Sequence, residues 1–260
     1  MNSTITLTHE ELAAVLSLSG YERDIANKML DWYIFPSQLQ PENSVYEPVK
    51  TLAAKGYLDS GRPTGLADRL EQMIHFLGQF KPAVRWLEKD RIRFIHPFSQ
   101  KSFMVQEICN GKHFFSFHGE KITETLNVWY RSQTYALFKD MEFLTLELTQ
   151  DTFEELYQMT GALTQELIAE KSAPPAFRQF IYDFNQNKKE IYTLSFLNKR
   201  NKLEVDQSIS FIPGGDCVWY IDFKKAENDQ IFITPLKLND FLSMIELDIQ
   251  AFMVTPSIAN

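Results

Sequence analysis

Three times along the chain the apolar positions change from alternating to helical spacing. Leu144, Leu146 and Leu148 alternate as on a strand, and Phe153, Leu156 and Tyr157 then recur at helical intervals. This predicts a strand-to-helix joint across residues 142–160, capped by Thr149 or Asp151, with Asp151 where the helix dipole favours negative charge. The opening ITLTHEEL has the same form: Ile5 and Leu7 alternate, Thr8 and Glu11 have capping-box spacing, and Leu12, Val15 and Leu16 form a stripe. Near the end Phe232, Thr234 and Leu236 lead through Lys237, Asn239 and Asp240 into Phe241, Met244, Ile245, Ile249 and Phe252.

Between these joints the N-terminal part is helical: residues 8–19 ending at Gly20, 21–33, 45–55 ending at Gly56, and 66–80. Gly20 and Gly56 stand where a left-handed C-cap is wanted, and Pro36 and Pro41 mark a linker. From Val84 the period becomes two, and VRWLE, RIRFIHP, SFMVQEIC, HFFSF, TLNVWY and EFLTLEL are predicted strands. Asn110-Gly111 fits a type I′ hairpin turn, since both residues accept positive φ. A helix of about nine residues, a break at Gly161 and a second helix to about Lys171 close this half. Pro174 and Pro175 then start a helix bearing Phe177, Phe180, Ile181 and Phe184, followed by strands EIYTLSF, KLEVDQSISFI, CVWYIDF and IFITPL. Gly214-Gly215 reads as a second hairpin turn.

Hairpin, strands and capped helix thus recur, with Ile108 matching Ile212, Asn110-Gly111 matching Gly214-Gly215, and Phe114-Phe115 matching Val218-Trp219. The expected fold class is α+β: two quasi-repeated halves, each a mainly antiparallel sheet with packed helices, preceded by an N-terminal helical segment. The bounds are residues 1–81, 82–171 and 172–260 of one compact unit.

The 260 residues suffice for a sizeable core, and 44% hydrophobic with 23% charged residues is ordinary for a globular chain. A net charge of −8 argues against nucleic-acid or anionic-membrane partners, which need a positive surface. No basic leader with an apolar core occurs, and no apolar run approaches the roughly 20 residues that span a bilayer. A cytoplasmic protein without membrane insertion is expected, with Cys109 and Cys217 as reduced thiols.

Catalytic signatures are missing: no Walker loop, Rossmann fingerprint, nucleophile elbow or HExxH occurs, and no cofactor is called for. His113 and His118 lie an odd number apart on a strand, so they point to opposite faces and do not converge on a metal with Cys109. Glu10-Glu11 and Glu154-Glu155 sit in first turns, where dipole compensation on a solvated face accounts for them without acid–base chemistry. FFSF, VWY and CVWYIDF carry aromatics on both faces, which fits either a sheet covered by helices and loops or an apolar face open to a partner protein. The rims of the two hairpins, Asn110, Phe114 and Phe115 in one and Gly214 and Trp219 in the other, are the candidate partner-binding residues.

In order along the chain, Leu7-Thr8-His9-Glu10-Glu11-Leu12, Leu52-Ala53-Ala54-Lys55-Gly56-Tyr57-Leu58, Thr64-Gly65-Leu66-Ala67-Asp68-Arg69-Leu70, and the meander over 84–117 resemble the EspG-type chaperones of bacterial type VII (ESX) secretion. The likeness rests on order and spacing over roughly the first 120 residues. It implies an α/β fold with a quasi-twofold repeat and a non-enzymatic, ATP-independent cytosolic adaptor. Such an adaptor shields the apolar tip of a helical secretion substrate in a one-to-one complex, the free protein being a monomer or homodimer. The substrate would be PE/PPE-like, as in mycobacterial relatives, or a WXG100-type or LXG-type protein or toxin. More Phe, Lys and Asn and less Ala, Gly and Arg than in mycobacterial members point to another Gram-positive lineage. Two other readings stay open: an enzyme whose site assembles around His96, His113 or His118, and an acidic regulator with a winged helix, for which DRLEQMIHFL supplies no basic recognition face.

Overall fold

The computed structural model describes residues 4–20, 46–79, 82–99, 102–119, 121–131, 144–199, 203–215, 217–223 and 229–254. The expected helix over 21–33, the linker prolines Pro36 and Pro41, Phe80, Glu142 and Asp216 lie outside them.

Each predicted joint forms. β1 (Ile5–Thr8) runs into α1 (His9–Leu18) through a full capping box, with Thr8 Oγ1 accepting from Glu11 N–H and Glu11 Oε2 accepting from Thr8 N–H at 2.8 Å. α2 (Tyr46–Ala54) ends at Gly56, whose φ of 71° lets Tyr57 N–H return to Leu52 O at 2.9 Å. A loop pinned by Arg62 to Asp68 and Glu71 leads into α3 (Asp68–Gly78). The meander follows as β2 (Ala83–Glu88), β3 (Arg91–Ser99), β4 (Ser102–Cys109) and β5 (Lys112–His118). Asn110 and Gly111 close the β4–β5 hairpin at φ 50° and 70°, as their chemistry requires.

TLNVWY, expected as a strand, is instead helix α4 (Ile122–Arg131). Leu126, Val128 and Tyr130 do alternate, but Thr125, Leu126 and Tyr130 are buried while Val128 is 70% exposed, the division of a helix face. The second half then runs β6 (Leu146–Thr149), α5 (Gln150–Gln158), α6 (Gly161–Ala169), α7 (Pro175–Gln186), β7 (Tyr192–Lys199), β8 (Leu203–Pro213), β9 (Cys217–Asp222), β10 (Gln230–Lys237) and α8 (Leu238–Val254).

The strands form one sheet in the order β1-β5-β4-β3-β2-β7-β8-β9-β10-β6. Read inward from each edge, the halves have the same order, β1-β5-β4-β3-β2 and β6-β10-β9-β8-β7. The edge pairs are antiparallel with equivalent registers, Thr8 opposite Lys112 and Thr149 opposite Gln230. The α+β fold with two quasi-repeated halves is therefore present, but its phase differs from expectation. The joint at Thr149 opens the second half and matches the joint at Thr8, while β10–α8 matches β5–α4. The Asn110-Gly111 hairpin matches the β9–β10 connection, and Gly214-Gly215 matches the β3–β4 connection. Counting α4 as a strand shifts every later equivalence by one.

Contacts group the chain into two compact units: Met1–Arg85 with Asp90–Gly119 and Phe196–Asp206, and Trp86–Lys89 with Glu120–Ser195 and Gln207–Asn260. In the first, Leu12, Val15, Leu16, Leu52, Leu70, Ile74 and Leu77 of the helices close over Leu7, Phe94 and Phe115 of the strands. In the second, Phe153 and Leu156 of α5 and Phe180, Ile181 and Phe184 of α7 close over Ile212, Trp219, Ile221, Ile231 and Ile233. Each such side chain contributes about 1.5–3 kcal/mol by leaving water. The other face of that unit's strands meets α8, Phe211 lying 5.0 Å from Phe241. β8 is thus covered by helices on both faces, Ile212 toward α5 and α7 and Phe211 toward α8, and Trp219 of β9 is buried in the α5–α7 core.

Candidate functional site

The two hairpin rims prove unlike each other. Asn110 is exposed at the tip of β4–β5 and Phe114 is half-buried on β5. Phe115 points to the opposite face, opposite Ile5 of β1, and is completely buried. Gly214 and Trp219 are core as well. Exposure, the ground for expecting partner contact at these positions, therefore holds for Asn110 and in part for Phe114 and fails for Phe115, Gly214 and Trp219.

Gly214 is not the centre of its turn. Its N–H donates to Cys217 O at 2.9 Å, which pairs it with the start of β9. Glycine is required there for space rather than for positive φ: a Cβ would lie 2.7 Å from both Asp183 Oδ2 and Cys217 O. Around it, Tyr130 Oη donates to Cys217 O at 2.6 Å, Trp219 Nε1–H to Asp183 Oδ2 at 2.8 Å, and Gln179 Nε2 to Asp183 Oδ1 at 2.9 Å. Burial holds the Tyr130 hydroxyl far above its ordinary pKa, so it acts as a neutral donor. This is a structural network beneath the hairpin, in which Gln179 Oε1 is buried without a partner.

The histidines separate as strand alternation requires. His118 stacks on Phe103 at 5.1 Å, whereas His113 faces the helices and is fully buried. Four side chains there form a directed chain whose proton positions follow from the partners. His96 Nε2–H donates to Gln106 Oε1 at 3.1 Å, Gln106 Nε2–H to His113 Nδ1 at 2.9 Å, and His113 Nε2–H to His9 Nδ1 at 2.7 Å. His9 Nε2 is left buried without a partner. Desolvation, and then the neighbouring His9, push the His113 pKa down to about 3, so the ring is neutral. Among the described residues no group of three or more His, Cys, Asp or Glu is placed to hold a metal ion.

Glu11 departs from the solvated-face expectation. It is buried, and its carboxylate accepts from Lys55 Nζ at 2.6 Å, Thr51 Oγ1 at 2.7 Å and Thr8 N–H. Burial alone would raise its pKa, but these donors hold it below the usual range. Glu154 and Glu155 do lie on an exposed face.

The large apolar side chains that face solvent lie elsewhere, and sequence reasoning did not single them out as a surface. Tyr157 on α5 and Phe223 after β9 are each about 40% exposed, and Phe153 lies within 6.1 and 6.2 Å of their rings. Leu144, just before β6, is 55% exposed. The signal was present in the runs Leu144-Leu146-Leu148 and Phe153-Tyr157, each reaching past the residues its element buries.

No family model matches the sequence, and no curated protein matches it. Among solved structures the chain is similar to the Mycobacterium tuberculosis type VII secretion system chaperone EspG5, determined in complex with a PE25-PPE41 dimer. The match covers 99% of this chain and 98% of that one, with a TM-score of 0.54 at 8% sequence identity. The fold is thus EspG-like. Among the described residues no helix is long and apolar enough to cross a membrane.

Proposed function

We propose that this protein is a cytoplasmic chaperone of a type VII secretion system in a Gram-positive bacterium, holding a helical exported protein or toxin soluble before export. The observation that carries this is likeness to a secretion chaperone along essentially the full length of both chains, with the duplicated strand order as an independent internal feature. The adaptor works by binding alone, without cofactor or nucleic acid. Exposed aromatics supply the contact area and the surrounding carboxylates disfavour acidic competitors. Asn110 and Phe114 remain the accessible part of the first hairpin rim and belong to the proposed contact surface.

The test is co-expression with WXG100-type, LXG-type and PE/PPE-like proteins, followed by size exclusion with light scattering. A one-to-one complex is expected with one of these classes, and co-elution with none of them overturns the proposal. Within such a complex, Phe114→Ala weakens binding about tenfold with the melting temperature retained. Phe115→Ala instead lowers stability by about 3–5 kcal/mol, as for a fully buried aromatic.

A further inference from the structure

The two edge strands of the sheet occupy equivalent places, but among the described residues side chains close only one. On β1 the outward main chain is taken up by side chains of the same unit. Thr6 N–H donates to Tyr57 Oη at 3.1 Å, Lys55 Nζ donates to Thr6 O at 3.3 Å, and Thr8 N–H is held by Glu11. Those plugs block the addition of another strand, the usual hazard of a sheet edge. On β6 the equivalent register places Glu147 where β1 has Thr6. Among the described residues no side chain bonds the main chain of Leu146, Glu147 or Leu148, and Glu147 and Thr149 are exposed.

The flanks of β6 define what would fit. On the helix side, Leu144, Leu146 and Leu148 share a face, and the β9–β10 and β10–β6 registers continue that face through Ile231 toward Phe223. Leu144, just before β6, is exposed there, and Leu146 and Leu148 are half-buried. Glu147, Asp151, Glu154 and Asp229 are exposed, and no Lys or Arg occurs from Leu144 to Gln158. Lys189 is engaged with the carbonyls of Tyr157 and Met159.

We propose that β6 is a docking edge for an extended segment of a partner protein in which apolar residues alternate with Lys or Arg. The segment adds as an eleventh strand beyond β6. Its main chain bonds the edge of β6, its apolar side chains lie on the face of Leu144, Leu146 and Leu148, and its cations lie on the other face with Glu147. This rests on the chaperone reading only for the source of the segment, the exported partner.

The probe is a short synthetic peptide alternating Val with Lys, offered to the full chain and read by fluorescence anisotropy and amide hydrogen exchange. Slowed exchange at Leu146–Thr149, with none added at Ile5–Thr8, is expected. Glu147→Lys, which keeps the N–H, weakens binding about tenfold. Glu147→Pro, tolerated on an edge strand, weakens it at least as much. A Val–Glu peptide of the same length leaves exchange unchanged. Equal affinity for Glu147→Lys, equal binding of a helical Lys-rich peptide, or protection of β6 that grows with protein concentration without peptide overturns the proposal, the last by assigning the edge to a second copy. Capture of the exported protein is scored separately. Peptide binding without capture sinks the chaperone reading and keeps the edge, whereas capture without peptide binding does the reverse.

Discussion

The two halves bring a strand and a helix together at the sheet edge in the same register and fasten them by opposite chemistry. In the first half Leu7 lies opposite His113, and the joint is tied by the His96–Gln106–His113–His9 chain and by the buried Glu11. In the second half Leu148 lies opposite Ile231, and apolar packing under α5 and α7 does the same work. Backbone register alone therefore leaves open what fills the space behind it. The polar solution has one allowed arrangement of donors and acceptors, whereas the apolar one requires only complementary volume.

That difference has a pH signature, the largest effect expected. Unfolded His113 titrates near 6.5, while in the fold it is pushed down to about 3. Between these values the unfolded chain binds a proton that the folded chain refuses, so stability is fully present above about 6.5 and declines as pH falls toward 3. The loss at the acid end is on the order of 5 kcal/mol. Glu11, held low, adds to the loss in the same direction as pH falls through its folded pKa. Amide exchange at pH 4 against pH 7 should show β1 and β5 losing protection before β6 and β10. Equal loss at both edges would show that the histidine chain does not distinguish the halves.

The glycines of the two hairpins sharpen the same contrast at intermediate size. Gly111 has φ 70° and nothing within 4 Å of an added Cβ, so Gly111→Ala costs about 1–2 kcal/mol of backbone strain. Gly111→Asn costs less, since Asn tolerates that region. Gly214→Ala meets Cys217 O and Asp183 instead and costs about 3 kcal/mol, with Asn no better tolerated there. Urea unfolding of the four variants checks this, and a mild Gly214→Ala would mean that the Asp183–Trp219 network gives way easily.

What was legible in the sequence is what is local. Thr8 with Glu11 and Thr149 with Thr152 lie within three residues of their partners, so both caps and all three joints could be read from order alone. The His9–His113 contact joins residues 104 apart and needs the β1–β5 register, which no periodicity supplies. Leu126 and Tyr130 satisfy a two-residue and a four-residue repeat alike, and only Ile122 favoured the helix. That single ambiguity misplaced the repeat boundary. The rim residues show the same limit: exposed turns could be read, but which of Phe114 and Phe115 faces outward depends on which face the helices cover.

The smallest effects test whether the two caps are equivalent. Thr149 Oγ1 accepts from Thr152 N–H at 3.1 Å on an exposed surface, so Thr149→Ala should cost about 1 kcal/mol, the ordinary value for one lost cap. Thr8 makes the matching bond at 3.2 Å, but its partner residue Glu11 is also the acceptor for Lys55 and Thr51. Thr8→Ala should therefore cost about as much by itself, yet combine non-additively with Glu11→Gln, because both act on one buried network. Thr149→Ala combined with Asp151→Asn should be additive within about 0.5 kcal/mol. Thermal unfolding of the two double-mutant cycles decides it: coupling at Thr8 with none at Thr149 means that the halves share a backbone device and differ in how far its energetics extend into the core.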